Sequence, residues 1–335
     1  MNLSSNQTAH IESWSTKDYA YFISETVVGL LTIVVNSLVL SALYRYPILR
    51  TVTNCYIGSL AMGGIPVGLL VPSVWVVSHA GLPKNFYACV LVNSLVGVFT
   101  SITILSLICV AIDRYWAVLH PVPRLNAATK GRALRIVAAS WTLGIFIGFV
   151  PLMGWHKDPK GFETCSFMRV MDLGYHVYLK FWGFKFPAIL ALLYVNVSIY
   201  SAFVKAQKQR AVRVILFHTV QVNIFNDSSR RSQMKLLKSL ILIFVSFALC
   251  WLPIYILNCI QLWSPATHVN TDFLLFTIIL SHTNSLINPI LYTVNQPGFR
   301  KVFRRHIPVF FRDDTKISLE PEKSLWKSNI TGTEK

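Results

Sequence analysis

The sequence contains few charged residues for its length. Of 335 residues, only 13% are Asp, Glu, Lys or Arg, whereas 53% are hydrophobic. A soluble globular protein carries about twice that share of charge, roughly 25%, because its surface faces water. The shortage argues against a soluble enzyme, a small disulfide-rich secreted domain and a disordered chain. An integral membrane protein is the class that remains.

The sequence also lacks the motifs that accompany catalysis or internal repetition. It contains no metal-ligand spacing, no glycine-rich phosphate loop and no serine nucleophile motif. No repeat of about 20 to 50 residues is visible, which argues against solenoids and transporters built from repeats. We therefore expect neither an enzyme nor a transporter, and we expect no cofactor or metal.

Long apolar stretches dominate the sequence instead. A helix needs about 20 largely apolar residues to cross a bilayer, and seven stretches of this kind can be read. They lie at approximately 21–44, 55–79, 86–111, 136–155, 177–204, 239–263 and 273–293. We therefore predict an all-α membrane protein in which residues 21–296 form a seven-transmembrane helix bundle.

Basic residues between these stretches predict the orientation of the chain. Lys and Arg cluster after the first, third, fifth and seventh stretches and are only scattered in the other connections. Because loops rich in Lys and Arg stay in the cytoplasm, residues 1–20 should form an extracellular N-terminus and the C-terminus should be cytoplasmic. The net charge of +17 then marks a face for anionic lipids or an acidic partner, and we expect no nucleic acid binding.

Three smaller features fit this topology. Asn2 and Asn6 begin glycosylation sequons on the predicted outer side. Cys89 and Cys165 also lie on that side, where they can form a disulfide; two free thiols are the alternative. Apolar residues at helical spacing over 297–311 predict a short amphipathic eighth helix on the inner membrane surface, followed by a cytoplasmic tail at 312–335.

Ionisable residues inside membrane spans are costly, so the few present here are candidate functional residues. Glu25 and Asn36 lie about three turns apart on one face of the first span, and His282 lies in the seventh. A lone buried histidine is more often structural than a ligand contact. Because lipid offers few alternative partners, we nevertheless predict that Glu25 pairs with His282.

The sixth and seventh spans each contain a proline that weakens the helix. Trp251 precedes Pro253, and Asn258 lies about two turns further outward on the same face. Its amide can recognise a purine edge, although contact between helices is an alternative role. The other marked segments are Asn288-Pro289-Ile290-Leu291-Tyr292 and, at the inner end of the third span, Asp113-Arg114-Tyr115.

These motifs, with Asn36 and Trp141, resemble those of the rhodopsin-like (class A) G-protein-coupled receptors. Within that superfamily, residues 280–285, the segment Leu257-Asn258-Cys259 and the segment Cys165-Ser166-Phe167 are similar to the adenosine receptors. The resemblance covers roughly residues 20–310. It implies a plasma-membrane receptor for extracellular adenosine or a close purine analogue that signals through heterotrimeric G proteins.

The resemblance also implies residue roles. Phe167 would stack on adenine, and Asn258 would form hydrogen bonds with the polar edge of the adenine. Ser281 and His282 would hold the ribose, with Glu25 orienting His282. Thr100 would lie near the ribose, and Trp251 would lie under the ligand. The inner switch and the G-protein contact would be formed by Asp113, Arg114, Tyr115, Pro253, Asn288, Pro289 and Tyr292. Two alternatives stay open: a receptor for another purine or a nucleotide, and a constitutive or decoy relative with impaired coupling.

Several positions depart from the family pattern. Gly64 stands where the family expects an aspartate in the second span, and Met168 stands where several relatives carry glutamate. Lys180 and Lys185 lie in the fifth span. A lysine in the pocket would favour an anionic ligand such as a nucleotide, whereas extension toward the outer interface is the alternative, most plausible for Lys180.

The missing acid at Gly64 yields a prediction about sodium. The resemblance implies that this carboxylate would form the family's usual sodium site, so agonist affinity should not depend on sodium here. Agonist displacement curves with sodium chloride replaced by potassium chloride at equal ionic strength measure this. A clear sodium-dependent loss of agonist affinity would contradict it.

Overall fold

A computed structural model describes residues 15–120, 129–217, 223–295, 298–300 and 302, with side chains described outside 210–240, 294 and 295. Asn2, Asn6 and the tail at 312–335 lie outside these residues, as does most of the expected eighth helix at 297–311. Glycosylation and that helix therefore stay predictions. Every element below belongs to the unit Met1–Arg300.

Within the described residues, seven helices have the length and hydropathy needed to cross a membrane. They are α1 Thr16–Arg45, α2 Val52–His79, α3 Phe86–Leu119, α4 Lys130–Phe149, α5 Phe186–Phe217, α6 Asn223–Trp263 and α7 Thr271–Asn295. A π-helix at Tyr175–Lys185 leads directly into α5, and a 3-10 turn at Val150–Met153 extends α4. The predicted seven-helix bundle is confirmed.

The helices extend beyond the apolar stretches that predicted them. The third stretch was read to residue 111, yet α3 continues through Asp113 to Leu119. A helix satisfies its own backbone hydrogen bonds, so it can continue past the apolar segment into charged sequence. Helix starts are instead marked by capping side chains: Ser15, Thr51, Asn85 and Thr129 each accept a hydrogen bond from a backbone amide of the first turn.

Glycines bring neighbouring helices into close contact. A Cβ on Gly29 would lie 2.4 Å from the Gly68 carbonyl oxygen, so α1 and α2 touch backbone to backbone. A Cβ on Gly148 would lie 2.4 Å from the Val98 side chain of α3. In lipid, where helix association depends on close packing and not on exclusion of water, such small residues set the helix positions.

Buried hydroxyls and amides join the same helices. The Trp141 indole of α4 donates to Ser59 Oγ of α2 at 2.9 Å, and Ser59 Oγ lies 2.8 Å from Ser106 Oγ of α3. The Asn36 amide of α1 donates at 3.2 Å to the Ser285 carbonyl of α7. Each bond fixes the rotation of one helix against the next, because both partners must face the interior.

A disulfide holds the loop between α4 and the π-helix against α3. Cys89 and Cys165 are bonded, their Cα atoms lie 5.6 Å apart, and both side chains are buried. The loop then forms one helical turn at Phe167–Val170 and a bridge between His156 and Met171. The predicted disulfide is confirmed, and it places Phe167 two residues from a fixed point over the bundle.

Glycine packing predicts that Gly148→Ala destabilises the receptor by about 1–3 kcal/mol, because the new methyl group overlaps Val98. Thermal unfolding of the purified receptor measures the change. Gly131→Ala is the matched control on the same helix, since no neighbouring atom of the described residues lies within 4 Å of its added Cβ. Equal melting temperatures for the two variants would show that the close α3–α4 contact does not limit stability.

Candidate ligand site and inner switch

The contact predicted between Glu25 of the first span and His282 of the seventh is present. His282 Nδ1 lies 2.9 Å from Glu25 Oε1, and the Glu25 side chain is only 1% exposed. The carboxylate therefore connects α1 to α7 and fixes the imidazole ring. Because Nδ1 is engaged, Nε2 is the ring nitrogen left to contact a ligand.

The two hydroxyls expected near the ribose are bonded to their own helices. Ser281 Oγ donates to the Ile278 carbonyl at 2.7 Å, and Thr100 Oγ1 lies 2.9 Å from the Val96 carbonyl and 3.1 Å from that of Gly97. Each hydroxyl oxygen still has lone pairs. Both groups can therefore accept a hydrogen bond from a ligand hydroxyl without giving up their present bond.

The two residues expected to hold the base lie on different elements. Phe167 begins the helical turn of the outer loop and is 42% exposed, and Asn258 lies half-buried on α6. The Phe167 ring centroid lies 4.9 Å from that of His176 in the π-helix. No contact among the described residues joins Phe167 or Asn258 to the Glu25–His282 pair.

Trp251 forms a buried contact point between α6 and the π-helix. Its indole Nε1 is buried and has no hydrogen-bond partner among the described residues. The Lys185 ammonium lies 3.0 Å from the Trp251 ring centroid and donates at 2.7 Å to the hydroxyl of Tyr255, one turn further along α6. Tyr255 and His176 did not stand out in the sequence, because neither belongs to a recognised motif.

Of the two alternatives for Lys180, the structure favours an enclosed position over extension toward the outer interface. Its side chain is 4% exposed, and Lys185 is 1% exposed. Lys180 Nζ lies 2.9 Å from the position that a Cβ on Gly97 would occupy, so it is packed against α3. The π-helix explains why Lys180 is enclosed, because its wider turn changes which positions face inward. The sequence pattern does not indicate a π-helix at this place.

The inner switch residues gather where α2, α3, α5 and α7 meet. Thr53 Oγ1 of α2 donates to Asp113, and Arg114 acts electrostatically on the Tyr292 hydroxyl of α7. The Tyr115 ring centroid lies 6.2 Å from that of Tyr194 on α5. The structure thus brings the Asp113-Arg114-Tyr115 segment together with the end of the Asn288–Tyr292 motif.

The space beside Gly64 is taken up by Asn36. A Cβ on Gly64 would lie 2.9 Å from both Nδ2 and Oδ1 of the Asn36 amide. Across the bundle, Asn284 Oδ1 and both polar atoms of the Asn288 amide are buried without a hydrogen-bond partner in the part of the chain that the structure describes. The polar side chains Asn36, Asn284 and Asn288 are therefore all amides, and α2 contributes no carboxylate to them.

Comparison with known proteins agrees with this architecture. The family described as "7 transmembrane receptor (rhodopsin family)" matches residues 35–292. Human adenosine receptor A2b is 30% identical over 311 residues, covering 87% of this chain and 91% of that receptor. The chicken (Gallus gallus) A2b receptor is 32% identical, covering 88% and 89%. Human adenosine receptor A2a is also 32% identical, covering 86% and 72%.

The family match covers well over half of the chain, and the relatives are similar over most of their own length. Seven membrane-length helices, the disulfide from α3 to the outer loop and the motifs of α3, α6 and α7 fit the same assignment. The chain therefore belongs to the rhodopsin family of seven-transmembrane receptors, and within it to the adenosine-receptor type.

Proposed function

We propose that this chain binds extracellular adenosine or a close purine analogue and signals through heterotrimeric G proteins. As a rhodopsin-family receptor it is a multi-pass plasma-membrane protein and not an enzyme. The observation that carries the proposal is the buried Glu25–His282 pair, which presents an oriented imidazole between α1 and α7. The names of the relatives support a purine nucleoside as the ligand.

The chemistry of the available side chains suits a nucleoside. Phe167 offers an exposed aromatic face for a flat base, and the Asn258 amide can donate to and accept from its polar edge. His282 Nε2 and the Ser281 and Thr100 hydroxyls can bond ribose hydroxyls. A neutral nucleoside would thus have an apolar contact for its base and polar contacts for its sugar.

Signalling requires two packings of the same helices whose balance a ligand can change. The indole of Trp251 and the amide of Asn288 are buried without hydrogen-bond partners among the described residues. Unpaired polar groups are costly in an apolar interior, so any packing that gives them hydrogen-bond partners is stabilised. Pro253 and Pro289 weaken α6 and α7 beside them, so these two helices are the elements that would move.

Two contacts support an extracellular N-terminus. The Cys89–Cys165 disulfide lies at the end of the bundle where α3 begins, and disulfides form in oxidising compartments. Lys17, near the start of α1, pairs at 2.8 Å with Asp272 at the start of α7, so both helices begin at one end. In a bundle of antiparallel neighbours this is also the end where α3 begins.

An adenosine dose–response in receptor-expressing cells tests the proposal directly. Cyclic AMP is measured with and without prior stimulation of adenylyl cyclase, so that both increases and decreases are visible. We expect adenosine to be active and His282→Ala and Asn258→Ala to shift its potency about 10- to 100-fold, the effect of losing one or two polar contacts. If adenosine is inert on well-expressed wild type, the ligand assignment fails and the family assignment stands.

Neutralising the buried acid tests whether it positions His282. Glu25→Gln should lower adenosine potency about ten-fold or more, because a neutral amide orients the imidazole less strongly than a carboxylate does. Asp272→Asn is the matched control, since it neutralises an acid in an exposed ion pair with Lys17, and such pairs contribute about 0–1 kcal/mol. Equal effects of the two variants, at equal surface expression, would contradict the positioning role of Glu25.

A further inference from the structure

Three basic side chains of the π-helix face the interior of the receptor. His176, Lys180 and Lys185, which we call the basic cluster, all lie in the π-helix at Tyr175–Lys185. Lys180 and Lys185 are 4% and 1% exposed, and the His176 Nε2 atom is buried. Within the described residues, no carboxylate pairs with any of the three.

The π-helix is what gathers these residues on one face. With hydrogen bonds from residue i to i+5 it has about 4.4 residues per turn, so residues four and five apart lie nearly above one another. In an α-helix, residues five apart are separated by about 140° around the axis. The unusual helix therefore directs both lysines inward, and such segments are frequent at functional sites.

The cluster is not fully compensated by its neighbours. Lys185 bonds the Tyr255 hydroxyl at 2.7 Å and lies over the Trp251 ring. Lys180 has only the Tyr175 ring, whose centroid is 5.7 Å from its Nζ, and His176 Nε2 has no hydrogen-bond partner in the described part of the chain. Buried basic groups without an acidic partner are costly, and an anion between them would supply acceptors and a counter-charge.

Two members of the basic cluster contact residues of the proposed ligand site, and the third lies against the turn of α3 that contains Thr100. His176 packs against Phe167 with 4.9 Å between ring centroids, and Lys185 lies 3.0 Å from the centre of the Trp251 ring. Lys180 Nζ approaches Gly97, whose carbonyl is bonded to the Thr100 hydroxyl. The basic cluster therefore lies along the same surface that would hold the base and the sugar.

We propose that the basic cluster binds the phosphate group of an adenine nucleotide, and that such a nucleotide is the preferred ligand. This rests on the proposed function, because it adds a phosphate subsite to the same purine site. A phosphate carries about −1.5 to −2 charge and three acceptor oxygens, which match the donors of His176, Lys180 and Lys185. Gly97 has no side chain, which allows Lys180 Nζ to approach α3 closely.

Binding to purified receptor in discs of neutral lipid tests the subsite, because no cellular enzyme can then interconvert the ligands. The probes are adenosine, adenosine 5′-monophosphate and inorganic phosphate. We expect the monophosphate to bind wild type about ten-fold or more tightly than adenosine, as charge-assisted hydrogen bonds to a phosphate require. Lys180→Met should abolish this preference, so that the monophosphate binds no more tightly than adenosine.

Lys84→Met is the matched control for charge. Lys84 is an exposed lysine between α2 and α3, on the extracellular side in the orientation proposed above. Its loss should leave the preference for the monophosphate unchanged if the basic cluster acts by direct contact. An equal loss of preference in Lys84→Met and Lys180→Met would indicate general attraction of anions and would overturn the inference.

Thermal unfolding gives a readout that does not depend on signalling, and it also shows whether a variant is folded. Unliganded Lys180→Met should unfold at a higher temperature than wild type, because an uncompensated buried charge is removed. Adenosine 5′-monophosphate should then stabilise it no more than adenosine does. A variant that instead loses its unfolding transition is replaced by Lys180→Arg, which keeps the charge and should retain a preference for the monophosphate.

The remaining outcomes separate this inference from the proposed function. Equal affinities of wild type for adenosine and the monophosphate would overturn the phosphate subsite and leave the proposed function intact. Failure of folded wild type to bind either purine would contradict the proposed function as well. Stabilisation by inorganic phosphate alone, equal to that by the nucleotide, would assign the basic cluster to a free anion and overturn the nucleotide assignment.

Discussion

The constraint on which this structure depends is that lipid supplies no hydrogen-bond partners. Every polar group inside the bundle must be paired by the chain itself or remain unpaired at a cost. The Glu25–His282 contact and the bond from Trp141 to Ser59 meet this requirement, and each connects different helices. Hydrogen bonding between polar side chains thus decides which face of each helix turns inward in this bundle, whereas apolar burial decides this in a soluble core.

Groups that the chain leaves unpaired occur where a receptor needs them. The Trp251 indole and the Asn288 amide lie along α6 and α7, beside the prolines of those helices, and Lys180 lies beside α3. Unpaired polar groups make one packing less favourable than it could be, so a ligand or a second packing can supply what is missing. The bonds of Trp141 and Asn36 connect α1, α2 and α4 to their neighbours, so these helices can provide a frame against which the others move.

Much of this architecture could be predicted from the sequence. Seven apolar stretches, the Cys89–Cys165 disulfide and the Glu25–His282 pair follow from local composition and from the small number of available partners. The sequence left two alternatives for Lys180, a pocket position and extension toward the outer interface, and only the packing decided between them. Nor did the sequence indicate that Asn36 lies beside Gly64, since contact between helices depends on how closely their backbones approach.

The sequence by itself determined what crosses the membrane, the family of the receptor and which polar residues must be accommodated, because hydropathy, charge and motifs are local properties. The tertiary structure alone decided which of these residues meet. Side-chain direction accumulates residue by residue along a helix, so the π-helix at Tyr175–Lys185 turns Lys180 and Lys185 to one face. The close approach of α3 and the position of Trp251 then decide that both lysines are enclosed, which no single segment specifies.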